Sequence, residues 1–226
     1  MMRNALRASR ASEPRERSAP EKRRARERVG ESEGQSPSVR RDTSMRVIAG
    51  ALKGRRLSSP DWPGLRPTAD KLRETLFNVL GPGVSGARVL DGYAGTGAVG
   101  IEALSRGAAH VTFVERDRRA AGLIEDNLEH CGLKEGYAII RVDFAAAAPR
   151  LSGQLFDIVF LDPPYGAEEM TTALTAAAGL AAGTTRVIIE HAKRDTPPSQ
   201  TGGLVLTRQL TSGDSALAFY KPLQTS

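Results

Sequence analysis

The stretch "ARVLDGYAGTGAVGIEALSRG", residues 87–107, joins a short apolar run to a glycine-rich loop and then to a helical pattern. The loop contains the spacing Gly-x-Gly-x-x-Gly at Gly95, Gly97 and Gly100. In open parallel α/β folds, such a loop follows a strand, begins a helix and lets a ligand approach the backbone closely. The stretch therefore predicts a strand, a ligand-binding loop and a helix, in that order.

Strand and helix patterns keep alternating after this stretch, in the order "HVTFVE", "DRRAAGLIEDNLEHCG", "YAIIRVD", "FDIVFLD", "AEEMTTALTAAAGL" and "TTRVIIE". This order predicts an α/β fold in which a mostly parallel sheet carries helices on both faces. Two further strand-like runs, "GGLVLTRQL" and "SALAFYKP", predict an antiparallel hairpin at one edge of that sheet.

The region before residue 87 divides into three parts. Residues 1–44 are rich in Ser, Pro, Glu and Arg, and we expect them to be disordered. "MRVIAGALKGRRLSSP" predicts a β-hairpin within a segment of residues 45–66. "RPTADKLRETLFNVLG" predicts a helix with Thr68 as N-cap and Gly81 at its end, and it opens a main domain of residues 67–226.

The positive charge is concentrated at the N-terminus. Residues 1–44 carry 12 basic and 7 acidic side chains, whereas residues 45–226 carry 20 and 19. The first segment is open to three interpretations: a basic arm for RNA phosphates, a solvated tail, or sequence upstream of a start at Met45. Because the chain has neither an apolar run of about 18 residues nor a secretory signal, we expect a soluble, cytoplasmic protein.

Cys131 is the only cysteine of the chain. An intramolecular disulfide and a cysteine-rich metal site are therefore excluded. We expect Cys131 to pack in the core, and we expect no metal site.

Four predicted strands end in an acidic residue: Asp91, Glu115, Asp143 and Asp162. The carboxyl ends of parallel strands are where open α/β sheets bind ligands. A carboxylate at the base of the glycine loop disfavours a pyrophosphate and suits a ligand that carries an ammonium and a sulfonium, namely S-adenosylmethionine. Ionised carboxylates only accept hydrogen bonds, so Glu115 suits ribose hydroxyls and Asp143 suits an adenine amino group, with Phe144 against the ring.

The stretch "FDIVFLDPPYG", residues 156–166, predicts a buried strand that ends in a catalytic loop. Asp162 and the carbonyl of Pro163 would each accept an N–H of an exocyclic amine and so restore the nucleophilic lone pair of its nitrogen. Pro164 stiffens the loop, and the ring of Tyr165 would stack on the base. The predicted reaction is therefore methyl transfer to an amine.

These residues alone leave several functions open. A DNA or RNA adenine-N6 methyltransferase shares the Asp-Pro-Pro-Tyr element but usually brings a target-recognition region, and only about 60 residues follow the loop here. Glutamine-N5 methyltransferases typically have Asn at the position of Asp162. A non-catalytic RNA-binding module and an NAD-dependent oxidoreductase belong to other classes.

The combination of "MRVIAG", "GLRPTADKLRETLFN", "IEALSRGA", "FVERD", "LDPPYG" and "GDSALAFY" resembles the bacterial 16S ribosomal RNA guanine-N2 methyltransferases usually called RsmD. The resemblance runs from Met45 to about Tyr220. It implies a class I methyltransferase fold of seven strands, S-adenosylmethionine as methyl donor and guanine 966 of the small-subunit RNA as target. Gly92 departs from the family, whose members typically have a large apolar residue there, and Tyr93 is often Phe.

The resemblance also places the segments matching residues 66–68 and 73–78 over the methionine and the target base. It implies 16S ribosomal RNA, in the small subunit or in an assembly intermediate, as the partner; we also expect a monomer and no membrane association. The predicted catalytic residues are Asp162, Pro163, Pro164 and Tyr165. The predicted cofactor-binding residues are Thr68, Asn78, Asp91, Tyr93, Ala94, Gly95, Gly97, Glu115, Arg116, Asp143 and Phe144. The predicted RNA-binding residues are Arg46, Lys53, Arg55, Arg56, Arg66 and Arg73.

Overall fold

An eight-stranded sheet forms the centre of the computed structural model, which describes residues 45–60 and 70–223. The strand order across the sheet is β3-β2-β1-β4-β5-β8-β7-β6. The strands are β1 (Arg88–Asp91), β2 (His110–Val114), β3 (Tyr137–Ile140), β4 (Ile158–Leu161), β5 (Arg186–Ala192), β6 (Gln200–Thr201), β7 (Leu204–Ser212) and β8 (Ser215–Pro222).

The first five strands are parallel to one another, and β8 pairs antiparallel with β5. The predicted mostly parallel sheet with an antiparallel C-terminal hairpin is therefore confirmed. Within that hairpin, β8 lies inside the sheet and β7 lies outside it, and the two-residue strand β6 pairs with β7. The chain reverses its direction across the sheet between β1 and β4, which is the switch point where such sheets bind ligands.

The described residues form five helices, of which α1 precedes the sheet and the others connect its strands: α1 (Asp70–Leu80), α2 (Ala98–Ser105), α3 (Arg118–His130), α4 (Phe144–Ala147) and α5 (Ala167–Ala178). Two 3₁₀ turns lie at Gly81–Val84 and Ala148–Leu151. No helix in the described part of the chain combines the length and the apolar character that a bilayer crossing requires.

The helices cover both faces of the sheet, as predicted. Successive strand residues point to opposite faces, so the apolar runs feed two separate cores. Val89 and Phe160 pack in one core with side chains of α1, α2 and α3, whereas Leu90 and Leu161 pack in the other with α4 and α5. Burial on both sides explains why the parallel strands are apolar throughout rather than alternating. Cys131 is buried in the first core, as expected.

Residues 45–58, called here the N-terminal turn, form the predicted hairpin in a minimal version. Its antiparallel bridge joins Arg46 to Arg56. The N–H of Val47 donates to the Arg55 carbonyl at 2.9 Å, and the N–H of Leu57 donates to the Met45 carbonyl at 3.0 Å. Met45, Val47 and Leu57 are buried against the first core, so the turn is part of the folded domain.

Helix α1 ends at Leu80, where Gly81 takes the positive φ of 56° that glycine adopts readily. The predicted end of this helix is thus confirmed. The predicted N-cap Thr68, the predicted RNA-binding Arg66 and the basic segment of residues 1–44 lie outside the described residues.

Candidate active site

The acidic residues predicted from the strand ends gather at one edge of the sheet. Asp91 is the last residue of β1, and Glu115 and Asp162 directly follow β2 and β4, the two strands that flank β1. Asp143 lies further along the same edge as the N-cap of α4. The three central acids therefore surround the switch point of the sheet.

Asp91 is buried at the base of the glycine loop, with 1% of its surface exposed. Its Oδ2 accepts a hydrogen bond from the backbone N–H of Gly100 at 3.0 Å. Burial raises the pKa of this carboxyl to about 7; the Gly100 hydrogen bond opposes that shift, and the neighbouring Glu115 charge adds to it. A buried carboxylate without a cation nearby is costly, so the site favours a positively charged ligand group.

The glycine loop takes a conformation that its glycines permit. Gly95 and Gly97 have φ values of 55° and 76°, and Gly97 is the N-cap of α2. A Cβ at Gly100 would lie 2.1 Å from the Phe113 ring, so the missing side chain lets α2 pack tightly on β2. This close packing places the start of the helix, with its backbone N–H groups, beside Asp91.

Glu115 is held rigidly beside the same loop. Its Oε2 accepts from the Gly95 N–H at 2.9 Å, and its Oε1 accepts from the Asp117 N–H at 2.8 Å. A carboxylate oxygen can accept a second hydrogen bond, so both oxygens can still receive ligand hydroxyls. The carboxylate is thereby fixed in orientation before any ligand binds.

The predicted contact between the Phe144 ring and an adenine is corrected by the structure. Phe144 is 1% exposed, and its ring packs on Tyr93 with centroids 5.4 Å apart. A Cβ at Gly92 would lie 3.1 Å from Phe144 and 2.6 Å from Leu161. Phe144 and Leu161 therefore occupy the space beside Gly92, at the position where family members typically have a large apolar residue.

The remaining predicted cofactor residues differ in how far they are exposed to solvent. Arg116 and Asp143 are partly exposed, with Nη1 and Oδ2 3.8 Å apart, and Asp143 Oδ1 accepts from the Ala145 N–H at 2.9 Å. Burial raises the pKa of Tyr93 to about 12, so its hydroxyl stays protonated. Ala94 is buried in the loop, and Asn78 is exposed on α1.

The Asp-Pro-Pro-Tyr loop follows β4 at the switch point. Asp162 is half-buried and Pro163 is buried, whereas Pro164 is exposed. Tyr165 is 39% exposed, and its hydroxyl lies 3.0 Å from Ser215 Oγ and 3.5 Å from Glu190 Oε1. The hydroxyl is therefore anchored on the antiparallel part of the sheet.

Ser215 and Glu190 were not among the predicted site residues, although the sequence carried a signal for each. Glu190 is the acid at the end of the apolar run "TTRVIIE", the same pattern that pointed to the other four acids. Ser215 belongs to "GDSALAFY", one of the stretches that resemble the RsmD family. Both side chains lie on strands that pair with each other, β5 and β8.

Four of the predicted RNA-binding residues, Arg46, Lys53, Arg55 and Arg56, are exposed on the N-terminal turn. Arg73 is not available to RNA, and this prediction is wrong, because its side chain is 0% exposed. Its Nη2 donates to the Arg46 carbonyl at 2.6 Å and to Asp70 Oδ1 at 2.9 Å. Burial lowers the pKa of the Arg73 guanidinium, while Asp70 and Glu102 oppose that shift.

Buried polar side chains of α2, which the sequence analysis missed, hold the N-terminal turn. Glu102 accepts from the N–H groups of Ile48 and Ala49 at 2.7 and 3.0 Å, and from Arg106 Nε at 2.7 Å. Ser105 Oγ donates to the Ala49 carbonyl at 2.5 Å and accepts from the Leu52 N–H at 3.0 Å. A charged residue inside the apolar helix "AVGIEALS" was the signal for this arrangement.

The described residues contain no group of three or more His, Cys, Asp or Glu side chains that could hold a metal ion. This edge of the sheet presents carboxylates, backbone N–H groups and the exposed ring of Tyr165. Such a set can bind a cationic ligand, accept hydrogen bonds from hydroxyl and amino groups, and stack on a planar base.

Comparison with known proteins identifies relatives of this chain. The family model described as Conserved hypothetical protein 95 matches residues 45–221. Ribosomal RNA small subunit methyltransferase D of Escherichia coli (strain K12) is 38% identical over 179 residues, which cover 78% of this chain and 89% of that protein. The solved structure of the Escherichia coli protein yhhF has a TM-score of 0.69 and 32% identity, and the match covers 79% of this chain and 97% of that chain.

A more distant solved structure, SMU.776 complexed with SAH, shares the fold, with a TM-score of 0.54 and 19% identity over 67% of this chain and 48% of that chain. The family match covers the N-terminal turn, the glycine loop and the Asp-Pro-Pro-Tyr loop. The chain therefore belongs to the family described as Conserved hypothetical protein 95, as its resemblance to the RsmD methyltransferases implied, and is a methyltransferase.

Proposed function

We propose that the chain transfers a methyl group from S-adenosylmethionine to the exocyclic N2 of a guanine in small-subunit ribosomal RNA. The observation that carries the proposal is the position of Asp162. It directly follows β4, the strand that pairs with β1, and β1 ends in the buried Asp91 before the glycine loop. The name of the Escherichia coli relative, a ribosomal RNA small subunit methyltransferase, supports the RNA class. Guanine 966 is the proposed target nucleotide, in line with the resemblance.

The residues of the site fit S-adenosylmethionine, which supplies an activated methyl group when bound. Asp91 would face its ammonium, because a buried carboxylate gains most from a cation. Glu115 would accept from the ribose hydroxyls and Asp143 from the adenine amino group, since both are acceptor-only groups at the same edge of the sheet. The left-handed backbone at Gly95 and Gly97 allows the close approach that this arrangement requires.

Asp162 and Pro163 would orient the nitrogen that is methylated. The lone pair of an exocyclic amine is delocalised into the base. When the Asp162 carboxylate and the Pro163 carbonyl accept its two N–H groups, the nitrogen is held in the geometry for attack. The carboxylate also stabilises the positive charge that develops on the nitrogen before a proton leaves.

Tyr165 would hold the base through its ring. Its hydroxyl is anchored on Ser215 and Glu190, so the ring has a defined direction before the RNA binds. Stacking a base on an aromatic ring contributes about 1–3 kcal/mol. Enzymes that modify bases act on unpaired or extruded nucleotides, and an exposed ring suits that requirement.

The N-terminal turn would contact the RNA backbone. Arg46, Lys53, Arg55 and Arg56 are exposed on it, whereas residues 45–226 as a whole are nearly neutral. Exposed Lys and Arg side chains bind phosphates without reading sequence, so this surface would position the RNA while the pocket selects the base.

The proposed reaction is tested by locating the methylated base in the RNA. N2-methylguanine would be mapped in small-subunit RNA from cells that lack the gene and carry the wild type, Asp162→Ala or Asp126→Ala. Asp126 is exposed on α3, away from the edge that carries the acids, and serves as the control. We expect the modification at one guanine to disappear in the deletion strain and to return with the wild type and with Asp126→Ala, but not with Asp162→Ala. Persistence of the modification in the deletion strain would overturn the proposed substrate.

The cofactor is tested separately by equilibrium binding on the purified protein. Saturable binding of S-adenosylhomocysteine with no binding of NAD supports the proposal. Binding of NAD without binding of S-adenosylhomocysteine would overturn the proposed cofactor.

A further inference from the structure

Asn127 on α3 joins two segments of the chain that are distant in sequence. Its side chain is fully buried, at 0% exposure. Its Oδ1 accepts from the Ser58 N–H at 2.7 Å, and its Nδ2 donates to the carbonyls of Ser58 at 3.1 Å and Thr96 at 3.0 Å. One amide group thus binds the end of the N-terminal turn and the middle of the glycine loop.

The orientation of this amide follows from its partners. Turning it over would place an NH₂ group against the Ser58 N–H and an oxygen against two carbonyls, so only one orientation satisfies all three groups. Because the site is buried, water cannot replace a bond that is lost when Ser58 or Thr96 moves. The positions of the two segments therefore depend on each other.

The two segments are those to which the proposed function assigns the two substrates. Thr96 lies between Gly95 and Gly97 in the proposed cofactor loop, and Ser58 ends the turn that carries the four exposed basic residues. A second contact reinforces the link, since Thr96 Oγ1 lies 3.7 Å from Met45 Sδ as a hydrogen-bond donor. Both ends of the N-terminal turn are thereby attached to Thr96.

We propose that Asn127 is a positioning residue that couples the cofactor loop to the N-terminal turn, so that the cofactor and the RNA bind cooperatively. The proposal rests on the proposed function for the identity of the two ligands. A ligand that orders the loop also orders the turn through Asn127, and the second ligand then has less conformational freedom to remove. Coupling between two sites is reciprocal, and its usual size is about fivefold or more in affinity.

The coupling is measured as the affinity of the full-length protein for small ribosomal subunits from a strain lacking the gene, with and without saturating S-adenosylhomocysteine. We expect the wild type to bind subunits at least about fivefold more tightly when S-adenosylhomocysteine is present. In Asn127→Asp this factor should fall towards one, because a carboxylate cannot donate to either carbonyl. Asp126→Asn makes the reverse exchange, from carboxylate to amide, at the adjacent exposed position. It should keep the wild-type ratio between the subunit affinities with and without S-adenosylhomocysteine. A wild type without coupling, or Asn127→Asp with full coupling, would overturn the proposal.

Hydrogen exchange of the wild type tests the same link without RNA and without a variant that must fold. Binding of S-adenosylhomocysteine should slow amide exchange in residues 45–58, particularly at Ser58, whose N–H donates to Asn127. Unchanged exchange there despite bound S-adenosylhomocysteine would overturn the inference and leave the proposed function intact. Absence of S-adenosylhomocysteine binding would instead overturn the proposed function itself.

Discussion

Asp91 and Gly100 are joined by a hydrogen bond of 3.0 Å between a buried carboxylate and a backbone N–H of α2. Asp91 ends the central strand β1, and Gly100 lies where α2 packs against β2. The bond therefore fixes the helix that follows the glycine loop to the strand that precedes it. A group that we propose to face the cofactor therefore also holds the loop in place.

Cofactor affinity should depend on pH through Asp91. Burial raises the pKa of its carboxyl to about 7, so without a ligand the carboxyl takes up a proton at a higher pH than an ordinary aspartate does. An ammonium bound beside it favours the carboxylate, so binding expels that proton. Affinity for S-adenosylhomocysteine should therefore rise with pH, by up to about tenfold per unit below pH 7.

Calorimetric titrations between about pH 5.5 and 7.5 check this, because an α-amino group stays largely protonated over that range. Asp91→Asn should bind more weakly and with a flat pH profile. The wild type should also lose stability as pH rises from about 4 to 7, since its folded state holds the Asp91 proton more tightly than the unfolded chain does. A flat affinity profile for the wild type would contradict this role of Asp91.

Gly100→Ala should destabilise the protein, although Ala is a better helix former than Gly. A Cβ there would lie 2.1 Å from the Phe113 ring and 2.8 Å from Val111, so α2 would have to move away from β2. Overpacking of this kind costs about 1–3 kcal/mol. Gly122→Ala is the matched control, since its Cβ would meet nothing within 4 Å inside α3.

Urea denaturation should therefore show opposite signs for the two variants. Gly122→Ala should stabilise the protein by about 0.5–1 kcal/mol, as expected for Ala replacing Gly within a helix. Equal effects of the two substitutions would show that contact with β2 does not limit the residue at position 100.

Replacing Glu102 should loosen the N-terminal turn. Its carboxylate accepts from two backbone N–H groups and from Arg106, and its Oε2 lies 3.9 Å from Arg73 Nε. Glu102→Gln leaves the buried Arg73 with less opposing charge and places an NH₂ group among donors. Removing one partner of a buried ion pair costs about 3–5 kcal/mol.

The measurement is the free energy of unfolding, with Glu74→Gln on the exposed face of α1 as control. The control should change stability by less than about 0.5 kcal/mol. If Glu102→Gln were equally mild, the hydrogen bonds to Ile48 and Ala49 would not hold the turn.

The ring and the hydroxyl of Tyr165 should contribute separately to the reaction. Tyr165→Phe keeps the ring and removes the contacts to Ser215 and Glu190, which is worth about 1 kcal/mol or roughly fivefold in kcat/KM. Tyr165→Ala also removes the stacking surface and should cost a further 1–3 kcal/mol, about fivefold to 150-fold. Steady-state kinetics on small subunits distinguish the two losses. If the Phe variant were as impaired as the Ala variant, the hydroxyl rather than the ring would be the important group.

Reversing charge on the N-terminal turn should weaken RNA binding and its dependence on salt. Arg55→Glu with Arg56→Glu should reduce affinity for small subunits and lower the slope of log K against log salt by roughly one for each lost phosphate contact. Affinity for S-adenosylhomocysteine measured without RNA should stay unchanged. Arg150→Glu is the control, because Arg150 is exposed on the 3₁₀ turn whose Ala148 and Leu151 pack in the other core. An unchanged salt slope in the double variant would remove the turn from the RNA interface.

Most of the fold followed from local patterns in the sequence. The apolar strands and amphipathic helices alternate along the chain, and right-handed crossovers then leave few ways to arrange a parallel sheet. The insertion of β8 between β5 and β7 was not predicted. It depends on pairing between strands that are distant in sequence, such as that of Val187 in β5 with Tyr220 in β8, which local periodicity does not specify.

The roles of site residues were harder to predict from the sequence where they depend on whether the side chain is buried. A basic residue in a basic surrounding suggests RNA, but Arg73 is buried because its partners Asp70 and Glu102 lie beside it in the folded chain. Likewise, Phe144 follows a strand-end acid and yet packs inward on Tyr93. The strand ends themselves, with Asp91 and Asp162, were accessible because parallel topology brings carboxyl ends together.

The position of β8 has a consequence for how the protein is made. β5 ends at Ala192, and its inner partner β8 extends to Pro222. During translation, β5 therefore leaves the ribosome with an open edge that begins to pair only when Ser215 has been synthesised and is fully paired only when Tyr220 follows. Unpaired strand edges are prone to aggregate. Codon usage and chaperone access over this interval should therefore influence the yield of active enzyme.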